Sequence, residues 1–270
     1  MALDPTSVMA GGGLRGRRAR LDIPAVLVFL AAAGWWWSVR MAGEMSGMAA
    51  SGMESMADIG ATSVAGHSVT FVAFVVAWVA MMAAMMFPAI SPVVRLYALA
   101  AARGRVAPLP FFVVAYLVVW GVLGVPAYVA WRALDEPLAN GATSAGRLAA
   151  IVLLAAAAWQ LTPLKSVCLR HCRSPLSFFM EHGGNARWRL GAFRMGAAHG
   201  LFCLGCCWAL MAVLVAMGTM NLAWMAALAG LIFFEKNAAW GERLATIGAG
   251  AFAVLGAVLL LHPQWISSLT

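Results

Sequence analysis

Long apolar runs that carry almost no charge dominate this chain of 270 residues. Two of them, IPAVLVFLAAAGWWWSV at 23–39 and GAGAFAVLGAVLLL at 248–261, have the composition of segments that cross a bilayer as helices. Strands of a membrane barrel would instead alternate apolar and polar residues over about ten positions. Because 63% of the residues are hydrophobic and 10% are charged, a soluble fold could not bury the apolar surface. The sequence predicts an all-α polytopic membrane protein.

Seven runs are predicted to cross the membrane, or six if the short run at 221–235 does not cross. They lie at 23–39, 69–90, 110–131, 147–164, 196–217, 221–235 and 244–262. This prediction also divides the chain into regions. They are a basic cytoplasmic tail at 1–22, a first transmembrane helix at 23–39, a flexible Met-rich external loop at 40–68, a metal-binding-type helical membrane domain at 69–262 and an external tail at 263–270.

Basic residues indicate how these spans are oriented. Arginine and lysine crowd the N-terminal tail and every second loop, while the intervening loops are richer in acidic residues. Since positively charged loops stay on the cytoplasmic side, the N-terminus is predicted to be cytoplasmic and the C-terminus periplasmic. The net charge of +8 is therefore a topology signal and predicts no nucleic-acid partner.

Three cysteines crowd the stretch HGLFCLGCCW at 199–208 of the fifth predicted span. On a helix, His199, Cys203 and Cys206 share one face, and Cys207 lies at its edge. If the span begins near Gly196, His199 lies close to the cytoplasmic interface and Cys207 is about 12 Å deeper. Gly196 and Gly200 have the G-x-x-x-G spacing that lets a neighbouring helix approach closely.

The other two cysteines lie in KSVCLRHCRSP, where Cys168, His171 and Cys172 occupy one face of a short helix that ends before Pro175. By the predicted topology all five cysteines lie at or just below the cytoplasmic face. A disulfide is disfavoured in that reducing compartment. Cysteine is also a common small apolar residue of helix cores. Five cysteines confined to two short segments, each with a histidine, nevertheless favour a soft-metal site.

Methionines extend this candidate ligand set on both sides of the membrane. Met81, Met82, Met85 and Met86 form i, i+4 pairs near the cytoplasmic end of the second span, although methionine is also an ordinary packing residue there. A second group is predicted to collect metal outside, and low-complexity filler is the alternative interpretation. It consists of Met41, Met45, Met48, Met53, Met56 and His67. Thioether, thiolate and imidazole together suit Cu(I), and Zn(II) where thiolate and imidazole dominate.

Glu235 ends the sixth predicted span beside Lys236. The two charges could anchor the helix at the interface. Alternatively, Glu235 points into the bundle, where a carboxylate is a candidate for balancing a metal charge or carrying a proton. Asn221, at the other end of this span, is predicted to cap the helix.

Several motifs together resemble a bacterial family of integral membrane proteins of unknown function that are predicted to bind metal. They are MMAAMMFPAISP, QLTPLKSVCLRHCRSPL, RMGAAHGLFCLGCCWALM, GTMNLAWM and FFEK, and the similarity covers roughly residues 70–260. The resemblance implies metal binding, with copper as the usual suggestion. The site residues that the resemblance implies are Met81, Met82, Met85, Met86, Cys168, His171, Cys172, His199, Cys203, Cys206, Cys207 and Glu235.

The sequence therefore predicts a protein of the bacterial inner membrane that handles Cu(I), either moving it across the bilayer or passing it to a cuproprotein under assembly. Expected partners are the lipid bilayer, the metal ion, and a cuproprotein or metallochaperone. Two alternatives stay open: a structural or sensing site for zinc or copper, and a thiol-redox protein. No carboxylate is positioned beside a cysteine–histidine pair, so an enzyme is not predicted.

Overall fold

The computed structural model describes residues 71–139, 143–217 and 221–266, together with Phe29, Ala32, Gly34, Trp35, Trp36 and Arg40. Within these residues the chain is all-helical and contains no strand. The helices are α1 (Phe71–Ala102), α2 (Leu109–Ala139), α3 (Thr143–Gln160), α4 (Pro163–Arg173), α5 (Pro175–His182), α6 (Arg189–Ala216), α7 (Leu222–Asn237) and α8 (Gly241–Leu261), followed by a 3₁₀ turn at Pro263–Trp265.

Five of these helices are long and apolar enough to cross a membrane, namely α1, α2, α3, α6 and α8. The protein is therefore a multi-pass helical membrane protein, as the sequence predicts. Among the described runs that are predicted to cross the membrane, the one whose helix is too short is the run at 221–235, which corresponds to α7 with 16 residues. At 1.5 Å per residue it is about 24 Å long, somewhat less than the apolar thickness of a bilayer.

Helix α6 forms the centre of the bundle and packs most closely on α2. A methyl group at Gly196 would collide with the backbone of Phe112, and one at Gly200 would press on Val119. The small-residue spacing therefore does bring two helix backbones together, as predicted. The pair formed by α3 and α8 packs with similar closeness, and a side chain at Gly146 would overlap the backbone of Pro263.

Two helices extend beyond the predicted spans. Helix α1 continues to Ala102 instead of ending near residue 90, through Pro88 and Pro92; proline is tolerated inside membrane helices because neighbouring groups satisfy the freed backbone. Helix α6 begins at Arg189, seven residues before the predicted start at Gly196. Its first turns carry exposed arginines. Because these turns are charged, an apolar run does not indicate where the helix begins.

Part of the predicted architecture lies outside the described residues. This holds for the basic tail at 1–22, most of the first predicted span, and the loop at 41–68 with its candidate ligands Met41, Met45, Met48, Met53, Met56 and His67. Gly34, in the first predicted span, is described and lies against Ala84 of α1.

Candidate metal centre

Helix α4 brings one group of cysteines to the centre of the bundle. Thr162 caps its start by accepting a hydrogen bond from the Lys165 amide, and Pro163 occupies the first turn. The helix ends at Arg173, one residue before Ser174, and Pro175 opens α5. The predicted short helix ended by Pro175 is therefore present.

The two cysteine groups meet between α4 and α6. Cys172 Sγ lies 3.9 Å from Cys206 Sγ, and both side chains are buried. Metal–thiolate bonds are about 2.3 Å long, so two sulfurs that share one ion lie at most about 4.6 Å apart. The two sulfurs are thus spaced closely enough to bind one ion between them. All five cysteines are free thiols.

Cys203 lies next to this pair and has polar neighbours from two further helices. Lys236 Nζ of α7 donates a hydrogen bond of 2.8 Å to Cys203 Sγ, and Tyr116 Oη of α2 is 3.1 Å from the same sulfur. All three side chains are buried. A sulfur that faces a buried ammonium is in an environment that suits a metal-binding thiolate.

Cys206 and Cys207 both point back along α6. Their thiols donate to the carbonyl oxygen of Cys203, at 3.1 Å and 2.8 Å. Cys206 in addition faces Cys172 across the helix interface. The two adjacent cysteines are therefore not equivalent, because the sulfur-to-sulfur contact with α4 is made by Cys206.

Cys168 occupies the outer edge of the cluster. It is half-buried, and a methyl group at Gly205 would lie 2.7 Å from its sulfur. Burial raises the pKa of the Cys168 thiol, and the nearby Cys206 sulfur raises it further. Hydrogen bonding to the sulfurs of Cys203 and Cys206 raises the pKa of Cys172 well above its usual range. A metal that binds these two residues must therefore displace their protons.

His199 is fully buried in an aromatic enclosure. Its ring lies 5.0 Å from that of Phe178 and 6.0 Å from those of Phe112 and Tyr116. Both ring nitrogens lack a hydrogen-bond partner within the described part of the chain. Buried polar atoms rarely stay unpartnered, so this imidazole is available to a ligand, as its prediction as a metal ligand requires.

His171 also faces α6, through its ring, which stacks on Phe202 at 4.4 Å. Its Nδ1 lies 2.9 Å from the Val167 carbonyl oxygen, and its Nε2 is 3.8 Å from a carboxylate oxygen of Glu181. The contacts of His171 are therefore with aromatic, backbone and carboxylate groups, at the more exposed edge of α4.

Glu235 points into the bundle, which decides between the two interpretations of this residue. Its carboxylate accepts hydrogen bonds from Lys165 Nζ at 2.8 Å and from Gln160 Nε2 at 3.0 Å. Lys165, which the sequence placed among the basic loop residues, is instead 1% exposed. Glu235 thus balances the charge of a lysine. Two residues further on, Asn237 packs against α1 by donating to the Ala89 carbonyl oxygen.

The predicted methionines lie in the core of α1. Met82, Met85 and Met86 are at most 1% exposed, and Met81 is 9% exposed. Phe87, next in the chain, packs 6.4 Å from Tyr116, whose hydroxyl contacts Cys203. The methionines therefore lie on the helix that packs beside the cysteine cluster, in positions that ordinary core packing also explains.

Sequence reasoning missed the roles of Tyr116, Lys165 and Lys236. Tyr116 is one of many aromatics in apolar spans, Lys165 is predicted to lie in the basic loop between the fourth and fifth spans, and Lys236 is a candidate interface anchor beside Glu235. A lysine next to the predicted inward-facing Glu235 is the one signal that could have indicated a buried ionic network.

The part of the chain that the structure describes brings cysteine sulfurs together but forms no complete metal site. In the described residues, no three histidine, cysteine, aspartate or glutamate side chains converge on one point that could hold a metal ion. The donors that do come together are the sulfurs of Cys172 and Cys206, with Cys203 beside them. Thiolate sulfur is the ligand that Cu(I) prefers.

Comparison with known proteins gives one family. No curated protein and no solved structure matches the chain. A family model described as "PpoB2: Copper chaperone" matches residues 75–259, which contain all five cysteines and every described helix that carries them. Because this match spans more than half of the chain, the protein belongs to the PpoB2 copper chaperone family.

Proposed function

We propose that this protein is a membrane-embedded chaperone that holds Cu(I) between Cys172 and Cys206 and passes it to an acceptor. The observation that carries this proposal is the distance of 3.9 Å between the two sulfurs across the interface of α4 and α6. These residues are 34 positions apart in the sequence, so their meeting requires the tertiary fold. The family description supports copper as the cargo.

The ligand chemistry favours Cu(I) over a divalent ion. Zinc sites in proteins are almost always tetrahedral and need four ligands, or three with water. Two sulfurs in a buried environment suit a soft monovalent ion, whose charge two thiolates more than compensate. Lys236, in contact with Cys203, supplies a further positive charge to this thiolate-rich cluster.

A path to the protein surface runs along α4. Cys172 is buried, Cys168 one turn earlier is half-buried, and the His171 side chain is 30% exposed. In this proposal copper leaves the Cys172–Cys206 pair through Cys168 and His171, by ligand exchange between neighbouring stations. The methionines of the loop at 41–56 collect copper on the other side of the membrane and those of α1 act as intermediate ligands, with the bacterial inner membrane as the location.

The decisive measurement is the copper content of the purified protein. The double variant Cys172→Ser/Cys206→Ser should lose stoichiometric Cu(I), because it removes both sulfurs of the pair. Cys207→Ser is the matched control: it changes the same residue type one position along α6, away from the contact with α4, and should keep its copper. Full copper in the double variant, or stoichiometric zinc in place of copper in the wild type, contradicts the proposal.

A second experiment separates hand-off from transport. Copper-loaded protein in sealed vesicles is offered a Cu(I) chelator that cannot cross the bilayer, on one side at a time. A chaperone delivers its bound equivalent to one side and then stops. A transporter continues to move copper that is supplied on the opposite side, over many equivalents.

A further inference from the structure

A polar cavity of about 200 Å³ opens between α3, α4 and α8. The exposed residues Glu242 and Thr246 line its outer part, and the buried residues Gln160 and Lys165 line its inner part. The cavity therefore connects the protein surface with the Lys165–Glu235 ion pair. Nothing in the proposed copper path uses it.

The buried end of the cavity contains an unsatisfied acceptor. Gln160 is 5% exposed and donates through Nε2 to Glu235, while its Oε1 has no partner among the described residues. A buried acceptor of this kind requires a donor. A water molecule occupies about 30 Å³ in the liquid, so the cavity has room for several.

The groups around the cavity suit water better than a metal cation. The ammonium of Lys165 stands at its inner end, and like charges repel strongly where the dielectric constant is low. Glu242 is the acidic group at its outer end. Water in the cavity can reach Gln160 and Lys165, the two residues that hydrogen-bond the Glu235 carboxylate.

Among the described residues, the ion pair at the end of this cavity is also one of two polar anchors that join α4 to α7 and the turn after it. Near the start of the helix, Lys165 binds Glu235; at its end, Arg173 Nη2 donates to the carbonyl oxygens of Ala238 and Ala239, at 2.7 Å and 3.2 Å. Of these two anchors, a proton can break the one that contains a carboxylate. Cys168, one turn after Lys165, lies on the part of α4 that this anchor holds.

We propose that Glu235 takes up a proton through this cavity, and that the loss of its ion pair with Lys165 frees the start of α4 and releases copper. One proton passes from a hydronium ion to the carboxylate and leaves water, and no other bond changes. The Lys165 ammonium, no longer neutralised, then moves towards the water-filled cavity and draws Cys168 away from Gly205. The inference rests on the proposed function for its cargo, but its proton step does not.

Several charged and polar groups around Glu235 determine how its carboxylate responds to pH. Gln160 of α3, Lys165 of α4 and Glu242 of α8 face the carboxylate or its cavity. Lys236, next in the chain, points to Cys203 of α6, and α1 meets this part of α7 at Asn237 through the Ala89 carbonyl. Of these groups, Gln160, Lys165 and Glu242 line the cavity, and Glu235 is hydrogen-bonded to the first two.

The proton step is tested on metal-free protein by infrared difference spectroscopy in bilayers. Acidification should produce the C=O absorption of a buried protonated carboxyl. Glu235→Gln should remove this band and Glu242→Gln should leave it in place. If the band is absent, or if it persists in Glu235→Gln, the inference is overturned whether or not the protein binds copper.

The coupling step is tested by the rate at which copper passes to a soluble Cu(I) chelator. In the wild type this rate should rise by up to about tenfold for each unit of pH decrease, as expected for one required proton. Glu235→Gln should release at neutral pH as fast as the wild type does in acid. Ala245 also lines the cavity. Ala245→Leu, which fills the cavity, should keep its copper and lose the acceleration of copper release in acid. Equal pH responses of wild type and Glu235→Gln overturn the inference, and a wild type without copper refutes the proposed function instead.

Discussion

Lys165 and Glu235 bring two opposite charges into a part of the bundle where their side chains are 1% and 2% exposed. Removing both charges from water is costly, and their contact at 2.8 Å together with the hydrogen bond from Gln160 offsets that cost. The arrangement is stable only while each charge has its partner. The consequence can be measured, because the loss of one charge and the loss of both have very different effects.

Lys165→Met should lower the free energy of unfolding by about 3–5 kcal/mol, because it leaves the Glu235 carboxylate buried and unpaired. Lys165→Met/Glu235→Leu should recover most of that loss, since no charge then remains to be buried. Reversible unfolding in mixed detergent micelles measures both values. A double variant as unstable as the single one would show that the two side chains do not form an energetic pair.

The candidate site could be predicted in part from single residues. The spacing of Cys203 and Cys206, and of Cys168 and Cys172, predicts which side chains share a helix face, because that geometry is local. It does not predict which faces meet. The contacts of Cys203 with Tyr116 and of Cys206 with Cys172 join residues 87 and 34 positions apart, and only the packing of whole helices determines them.

Among the helices, α4 is the one whose ends were easiest to predict. Thr162 and Pro163 give it a start, and Pro175 prevents its continuation. The start of α6 was harder, because its first turns contain arginines and are exposed. Cys203 therefore lies fourteen residues from the helix start at Arg189, or about 21 Å along the axis.

Close contact between α2 and α6 determines where Tyr116 meets Cys203. Gly196→Ala places a methyl group against the backbone of Phe112, one turn before Tyr116. Since backbone cannot rotate away as a side chain can, we expect a loss of about 1–3 kcal/mol in unfolding free energy and weaker copper binding. Gly250→Ala, on α8, is the matched control because its methyl group meets nothing within 4 Å. Equal stabilities of the two variants would contradict this account of α2–α6 packing.

On the scale of the whole molecule, the described helices alternate in direction. The loop after α1 and the start of α6 lie on one side, where the Ala107 amide donates to the Ala186 carbonyl oxygen and Arg189 stacks over Phe111. The start of α3 and the end of α8 lie together on the other side, where Gly146 meets Pro263. Both contacts follow from antiparallel packing of consecutive long helices, which an apolar pattern predicts without specifying neighbours.

Helix α7 is shorter than the five helices that are long enough to cross a membrane. Five residues separate its start from the end of α6. Near its other end, Glu235 accepts a hydrogen bond from Gln160, the last residue of α3. The helix is about 24 Å long. Its last residues include Glu235 and Lys236, which are buried inside the protein, where partners satisfy their charges. The described residues therefore contain five helices long enough to cross a membrane, and we expect α7 to be a sixth crossing.

We expect α7 and the first predicted span at 23–39 to cross as well, which gives seven crossings and places the two termini on opposite sides of the membrane. Basic loops assign the N-terminus and the loop at 103–108 to the cytoplasm. A periplasm-active phosphatase fused after residue 270 or inserted at 140–142 should be active, and one inserted at 103–108 should be inactive. A cytoplasm-active fluorescent reporter should give the complementary result. If the phosphatase were active at 103–108 and inactive after residue 270, the orientation would be reversed, and the proposed delivery of copper through Cys168 would face the periplasm.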